Sequence, residues 1–129
     1  MEKENPLVSI ITPCYNGENV MHRLLDSILS QTYSNIEFIL INDGSTDHSE
    51  EIWYQYEKKF NEKGIKTIYI HQRNQGLGAA INAGLKVFTG DYLCWPDIDD
   101  YFEDTSVEKR VNFLETHKEY GSVSRDANQ

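Results

Sequence analysis

The sequence has little that would anchor the chain in a membrane, crosslink it or bind it to nucleic acid. No apolar run approaches the roughly 20 residues of a membrane span, and residues 1–5 are too polar for a signal peptide. Two cysteines are too few for a disulfide framework. The 12 lysines and arginines, against 21 aspartates and glutamates, form no basic stripe, so no nucleic-acid partner is expected. These absences favour a cytoplasmic protein with no membrane span.

What is present is enough for one domain. The chain has 129 residues, 39% of them hydrophobic, which can bury a core of ordinary size. The formal net charge of −9 means that an anionic ligand would need a cation to help it bind.

Short apolar runs alternate with segments of helical periodicity along the whole chain. The predicted strands are Leu7 to Thr12, Ile36 to Ile41, Thr67 to Ile70 and Tyr92 to Trp95, with a fifth around Tyr120 to Val123. The predicted helices run from Val20 to about Thr32, from Asp47 to Gly64, from Gly76 to Gly90, and from Thr105 through Leu114. The third is predicted from the apolar residues Leu77, Ile81, Leu85 and Phe88. The fourth begins at Thr105, which has capping-box spacing with Glu108. This alternation predicts an α/β fold with a Rossmann-like, mostly parallel sheet flanked by helices.

The loops that follow the strands of such a sheet meet at one edge, where ligands bind. Three polar loops should therefore converge: Pro13 to Asn16, Asn42 to Asp47, and Asp97 to Asp100. A nucleotide lying across this edge would meet an aromatic ring, a carboxylate and a metal site.

The acidic cluster carries the strongest chemical signal. Asp97, Asp99 and Asp100 stand within four residues, directly after a predicted strand. Oxygen ligands of this kind suit Mg²⁺ or Mn²⁺, with the phosphates of a ligand completing the coordination. The alternative is that the acidic run only caps the strand and opens a solvated turn.

Single residues in the other loops allow two interpretations each. Tyr15 could stack on a base or ribose, or fold onto the helix that follows. Asp43 could accept a hydrogen bond from a base N–H such as the imide of uracil, or simply begin a turn before Gly44. Asn74 would form its loop and could also contact ligand phosphates. The glycines near Gly76 do not form a dinucleotide fingerprint, because Ile81 occupies the third glycine position.

Several motifs in a fixed order resemble family 2 glycosyltransferases over almost the whole chain. The resemblance lies in Val8 to Asn16, Leu25 to Thr32, Glu37 to Asp47, Asn74 to Gly76 with Asn82 and Gly84, Gly90 to Tyr92, and Asp97 to Asp100. It implies a GT-A fold of the nucleotide-diphospho-sugar transferase type. The implied activity is metal-dependent transfer of a sugar from a nucleotide donor, most often UDP-linked, to an acceptor hydroxyl with inversion.

The same resemblance implies roles for individual residues. Pro13 and Tyr15 would border the base and ribose, and Asp43 would bind the base. Asp97 would lie toward the ribose and pyrophosphate, while Asp99 would coordinate the metal. Asp100 could share or exchange that role, and the sequence leaves the choice open.

Three positions depart from the family pattern. Asn42 stands where the family usually has the first of two aspartates, Ile81 stands where many members have arginine, and Pro96 replaces an apolar residue before the acidic cluster. Because the second aspartate is the base-contacting one, the change to Asn42 should be tolerated.

The family's acceptor-binding half, which normally carries the general base, has no match here. We therefore expect one GT-A nucleotide-sugar-binding domain over residues 1–129, truncated before that half. No catalytic base is expected within the chain, and the base would lie beyond Gln129. Its partners would be a UDP-sugar and a saccharide or lipid-linked saccharide acceptor in polysaccharide biosynthesis. Its location would be cytoplasmic, or peripheral at the inner face of the membrane.

Two alternatives remain from other classes of protein. One is a nucleotide-sugar-binding fragment without catalytic activity. The more remote one is a receiver-type signalling domain, although such domains need acidic residues where this chain has Pro13 to Tyr15. The GT-A resemblance also places the first strand beside the fourth, so that Cys14 and Cys94 could approach each other as reduced thiols.

Overall fold

The computed structural model describes residues 5–117, and within them four strands alternate with four α-helices. The elements are β1 (Val8–Cys14), α1 (Met21–Leu29), β2 (Ile36–Asp43), α2 (Ser49–Glu62), β3 (Lys66–Gln72), α3 (Leu77–Leu85), β4 (Tyr92–Cys94) and α4 (Ser106–Thr116). The predicted α/β architecture is confirmed. The strand predicted around Tyr120 to Val123 and the predicted domain end at Gln129 lie outside the described residues.

All strand pairs are parallel, and the order across the sheet is β3-β2-β1-β4. All eight residues of β2 are buried, as expected for an interior strand of a parallel sheet covered on both faces. Because β1 lies between β2 and β4, the order differs from that of receiver domains, in which β1 lies between β2 and β3. The receiver alternative is therefore excluded.

Helices cover both faces of the sheet, but unequally. On one face α1, α2 and α4 bury a large core whose members include Leu24, Trp53 and Val107. Its aromatic centre places the rings of Phe38 and Phe60 5.3 Å apart. On the other face, α3 is the helix of residues 5–117 that covers a smaller core.

The residues through which α3 packs against the sheet differ in part from those predicted. Its predicted apolar residues Leu77 and Leu85 are 64% and 37% exposed, whereas Ala80 and Gly84 are buried. A Cβ atom on Gly84 would lie 2.5 Å from Cγ2 of Ile11. The other two predicted apolar residues, Ile81 and Phe88, are partly buried against the smaller core. The closest approach to the sheet is nevertheless made by the small residues, because a larger side chain would not fit at Gly84.

Strand β1 continues through Pro13, where the sequence predicted that it would end. The N–H of Val8 donates to the carbonyl of Asn35, next to β2, at 3.0 Å. Backbone N–H groups point alternately to the two sides of a strand, so the nitrogen of Pro13 faces the β4 side. There β4 stops pairing at Cys94, opposite Ile10, and no ladder bond is lost at the proline.

Three predicted helix boundaries are also wrong. Helix α3 ends at Leu85 rather than at Gly90, and the N–H groups of Val87 and Phe88 both donate to the carbonyl of Gly84 at 3.1 Å. Helix α1 ends at Leu29 rather than near Thr32, because the N–H of Thr32 donates to the carbonyl of Asp104 at 2.9 Å. The capping box at Thr105 does not form. Its intended partner, Glu108, instead accepts a hydrogen bond from the hydroxyl of Thr32 at 2.6 Å.

The two cysteines are buried and form no disulfide. Although β1 and β4 are neighbours, Cys94 lies opposite Ile10, four residues before Cys14 along β1. At about 3.3 Å per residue this offset is roughly 13 Å, so the expected approach of the two thiols does not occur. Within residues 5–117, no helix combines the length and apolarity needed to cross a bilayer.

Candidate functional site

The sheet order arranges the predicted site residues in a line along one edge. Asn74 follows β3, Asp43 ends β2, Tyr15 follows β1, and the acidic turn of residues 97–100 follows β4. Because neighbouring strands are about 4.8 Å apart, the outermost of these positions are roughly 14 Å apart. Tyr15 therefore lies between the Asp43 carboxylate and the acidic turn.

The acidic turn is held by its own backbone and by one apolar anchor. The N–H of Asp97 donates to Oδ2 of Asp100 at 2.8 Å, and the N–H of Asp100 donates to the carbonyl of Asp97 at 3.0 Å. Between them Ile98 packs against the large core. With Ile98 packed inward, the flanking Asp97 and Asp99 are exposed. One carboxylate oxygen of Asp100 accepts a hydrogen bond within the turn, so Asp97 and Asp99 have more carboxylate oxygens available to bind a ligand.

Three carboxylates of this turn are close enough to share a cation. One oxygen each from Asp97, Asp99 and Asp100 can be chosen so that all lie within 4.8 Å of one another. Opposite oxygens around Mg²⁺ are about 4.2 Å apart, so only a small movement is needed. Although Asp97 is exposed, partial desolvation of its carboxylate, followed by the charges of Asp100 and Asp99, raises the pKa of Asp97. A divalent cation would relieve that repulsion, and the donor set fits Mg²⁺ or Mn²⁺.

Asp43 is more deeply engaged than the sequence suggested. Its side chain is 4% exposed at the end of β2. Oδ1 accepts hydrogen bonds from Nε2 of Gln72 and the N–H of Gln75, and Oδ2 accepts one from the N–H of Gly76, all at 2.9 Å. Burial alone would raise the pKa of Asp43, but these hydrogen bonds outweigh it and lower the pKa. The carboxylate is ionised, fixes the loop before α3, and retains acceptor capacity on Oδ2.

Asn74 shapes the same loop from the opposite side. Its Nδ2 donates to the carbonyl of Asp43 at 3.1 Å, and its backbone N would be 2.6 Å from a Cβ on Gly44. Gly44 has φ +74°, so both the close contact and the backbone conformation require glycine there. These contacts support the loop-forming interpretation, and a phosphate contact of Asn74 stays a prediction.

Tyr15 and Pro13 lie at the middle of this edge of the sheet, at the end of β1. Tyr15 is 52% exposed, and Pro13 is half-buried as the penultimate residue of β1. An exposed ring beside two polar loops is available for stacking on a planar ligand. The predicted contacts of both residues with a base or ribose stay predictions.

An open cavity of about 430 Å³ adjoins Asp43 between the loops after β2 and β3. Its lining residues are Gly44, Ser45, His71, Gln72, Arg73 and Asn74. Nδ1 of His71 lies 3.6 Å from Oε2 of Glu50. Sequence reasoning missed Gln72, His71 and Arg73. These residues lie near Asp43 because β2 pairs with β3. The only feature of the sequence that could have indicated a role in the site is their position directly after a predicted strand.

Comparison with known proteins identifies relatives over most of the chain. The model of glycosyl transferase family 2 matches residues 9–127. An uncharacterized glycosyltransferase of Rickettsia prowazekii is 44% identical over 110 residues, which are 85% of this chain and 32% of that protein. The chain thus spans about a third of the length of that relative.

Solved structures give the same fold. Staphylococcus aureus TarS 1-349 in complex with UDP has a TM-score of 0.79 and 26% identity, covering 87% of this chain and 33% of that one. The mannosyltransferase PcManGT from Pyrobaculum calidifontis, in complex with GDP-Man and Mn²⁺, has a TM-score of 0.78 and 22% identity, covering 85% and 32%. The second likeness concerns the fold alone.

Proposed function

Since the chain belongs to glycosyl transferase family 2, we propose that it forms the donor-binding part of an enzyme that transfers a sugar from a UDP-sugar to an acceptor hydroxyl with inversion. The observation that carries the proposal is the convergence of Asp43, Tyr15 and the acidic turn at one edge of the sheet. A UDP complex of the related TarS structure, at 26% identity, supports the choice of nucleotide.

Each part of the edge has a distinct task in this proposal. Oδ2 of Asp43 would accept the N–H of the base, and Tyr15 with Pro13 would flank the base and ribose. Asp97 and Asp99 would hold Mg²⁺ or Mn²⁺, with Asp100 fixing the turn. When bound, such a cation would supply Lewis-acid stabilisation of the negative charge on the departing UDP.

The remaining chemistry needs residues that lie beyond Gln129 in this proposal. We assign the general base and the acceptor site, for a saccharide or lipid-linked saccharide of polysaccharide synthesis, to the part that the longer relatives have and this sequence does not. Residues 1–129 by themselves should then bind donor but transfer sugar poorly or not at all. Efficient transfer by residues 1–129 alone would contradict this division of roles.

The donor site can be tested by calorimetric titration of UDP. We expect binding in Mn²⁺, loss of binding with a chelator, and at least about tenfold weaker binding for Asp99→Asn because a metal ligand is removed. Asp104→Asn is the matched control: it makes the same charge change at an exposed residue just after the turn, and it should leave the affinity unchanged.

Two results would count against the proposal. UDP binding that is equally strong with chelator and in Asp99→Asn would remove the metal from the site. Preference for GDP over UDP in parallel titrations would replace the proposed nucleotide.

A further inference from the structure

The loops after β1 and β2 are joined directly by hydrogen bonds in both directions. From the first loop, the N–H groups of Asn16, Gly17 and Glu18 donate to Ser45 Oγ, Ser49 Oγ and Asp47 Oδ2, at 2.9, 2.9 and 3.0 Å. From the second loop, the N–H groups of Thr46 and His48 donate to Asn16 Oδ1 and Glu18 Oε1, at 2.7 and 2.8 Å. We call these five bonds the inter-loop network.

Asp47 has the central position in the inter-loop network. Its Oδ2 receives the N–H of Glu18, while its Oδ1 receives both the N–H and the hydroxyl of Ser49, at 2.9 and 2.6 Å. The same hydroxyl oxygen of Ser49 accepts the N–H of Gly17. Asp47 thus holds Glu18 directly and Gly17 through Ser49, which is 1% exposed.

The first loop has little freedom to move on its other side. Asn16 has φ +52°, a left-handed conformation that needs support from its surroundings. A Cβ on Gly17 would lie 3.0 Å from Cγ1 of Ile98 and 3.1 Å from Sγ of Cys14. The backbone at Gly17 is therefore packed between the inter-loop network and Ile98, the residue that anchors the acidic turn.

We propose that Asp47 is a positioning residue of the donor site, which holds the loop of Tyr15 at a fixed distance from Asp43 before any ligand binds. This proposal rests on the proposed function. Asp47 would not contact the nucleotide itself; it acts on binding through the backbone of residues 16–18, and hence through the placement of the Tyr15 ring. Preorganisation of this kind raises affinity because the ligand does not have to order the loop.

A double-mutant cycle on UDP affinity tests the proposal. Asp47→Asn, which cannot accept all three hydrogen bonds, should weaken UDP binding in Mn²⁺ by about tenfold. In a Tyr15→Ala background the same substitution should weaken it by less than about twofold, because no ring is left to position. Glu51→Gln is the matched control: it removes an exposed carboxylate from the first turn of α2 without touching the inter-loop network, and it should not change the affinity. Equal losses in both backgrounds would overturn the positioning role, since a general structural defect would be additive.

Amide hydrogen exchange without ligand separates this proposal from the donor-site proposal. Asp47→Asn should accelerate exchange at Gly17 and Glu18 by about tenfold while the amides in the middle of α2 remain protected. Ser49→Ala should accelerate exchange at Gly17 more than at Glu18. Unchanged exchange at Gly17 and Glu18 would overturn the inference even if UDP binds. If the unsubstituted chain did not bind UDP, both the proposed donor site and the role of Asp47 in nucleotide binding would be overturned. The hydrogen-exchange rates of Gly17 and Glu18 would still decide whether Asp47 holds the loop.

Discussion

Both the oxygen and the nitrogen of the Asn42 side-chain amide form hydrogen bonds within the protein. Its Oδ1 accepts the N–H of Ser45, and its Nδ2 donates to the hydroxyl oxygen of Tyr69, both at 2.9 Å. Tyr69 in turn donates to Oε2 of Glu50 at 2.8 Å. Since Tyr69 has one proton and gives it to Glu50, residue 42 must be the donor. Asparagine supplies this donor, and an ionised aspartate at the same position would not.

Asn42→Asp should therefore destabilise the fold. The new carboxylate would lack a donor to Tyr69 and would be a buried acid near the partly exposed Glu50, at a site that is 3% exposed. Leaving buried polar groups unpaired costs about 1–3 kcal/mol, which urea unfolding can measure. Asn19→Asp, the same change at an exposed residue, should cost little. In a Tyr69→Phe background the penalty should shrink, and an undiminished penalty would show that Tyr69 is not its cause.

At the scale of elements, α3 makes its closest contacts with the sheet through Ala80 and Gly84, while Leu77 and Leu85 are exposed and Ile81 packs at the margin of the smaller core. Gly84 meets Ile11 and Ile41 of the sheet so closely that an added methyl group has no room. Gly78, in the first turn of the same helix, has nothing within 4 Å of its Cβ position. One helix thus contains a glycine required for packing and a glycine without that constraint.

This contrast gives a matched pair of substitutions. Gly84→Ala should lower the free energy of unfolding by about 1–3 kcal/mol, because overpacking forces the helix away from β1. Gly78→Ala should raise it by about 0.5–1 kcal/mol, because alanine loses less backbone entropy in a helix. Thermal and urea unfolding of both variants measure the difference. If both substitutions stabilised the protein, the close approach of α3 to the sheet would be wrong.

The sequence predicted the type and order of the elements within residues 5–117 but not all of their ends or contacts. Periodicity reveals a helix, but only two of the four apolar residues predicted for α3, Ile81 and Phe88, lie against the core, whereas Leu77 and Leu85 are exposed. The tight fit to the sheet selects Ala80 and Gly84 instead. Proline usually ends a strand, and Pro13 does not because β4 stops pairing before it. Glu108 had capping-box spacing, but Thr32 competes for its carboxylate. Each error involves a distant partner that local patterns do not specify.

At the scale of the whole molecule, the predictability of the site follows from topology. Loops after parallel strands share one edge, and this rule alone predicts that Tyr15, Asp43 and the acidic turn lie together. What the rule cannot provide is how each side chain is held. The hydrogen bonds to Asp43 depend on the register of β2 with β3, and those to Asp47 depend on the distance between two loops about 30 residues apart.

The stability of the whole chain should depend on pH through these two carboxylates. Hydrogen bonds from Ser49 and from the backbone of Glu18 and Ser49 outweigh the effect of burial and lower the pKa of Asp47, as those from Gln72, Gln75 and Gly76 lower the pKa of Asp43. A lowered pKa in the folded state means that the ionised form stabilises the fold. This stabilisation is complete above the ordinary pKa of aspartate, about 3.9, and is lost as the pH falls through the folded-state value.

The net charge of the chain has the opposite effect on stability over part of the pH range. At neutral pH the chain carries a formal charge of −9, and acidification toward the sequence pI of about 4.8 relieves that repulsion. We therefore expect the free energy of unfolding to change little between about pH 7 and 5 and to fall steeply below about pH 4, where the hydrogen-bonded aspartates take up protons.

Urea unfolding of the unsubstituted chain and of Asp47→Asn across this range isolates one carboxylate. The difference in free energy of unfolding between the two should be constant above about pH 5 and should shrink as the pH falls toward about 3, because protonation abolishes the advantage that the substitution removes. Glu51→Gln is the control, because its exposed carboxylate lies outside the inter-loop network. A difference between the unsubstituted chain and Asp47→Asn that stayed constant down to about pH 3 would mean that the charge of Asp47 does not stabilise the fold.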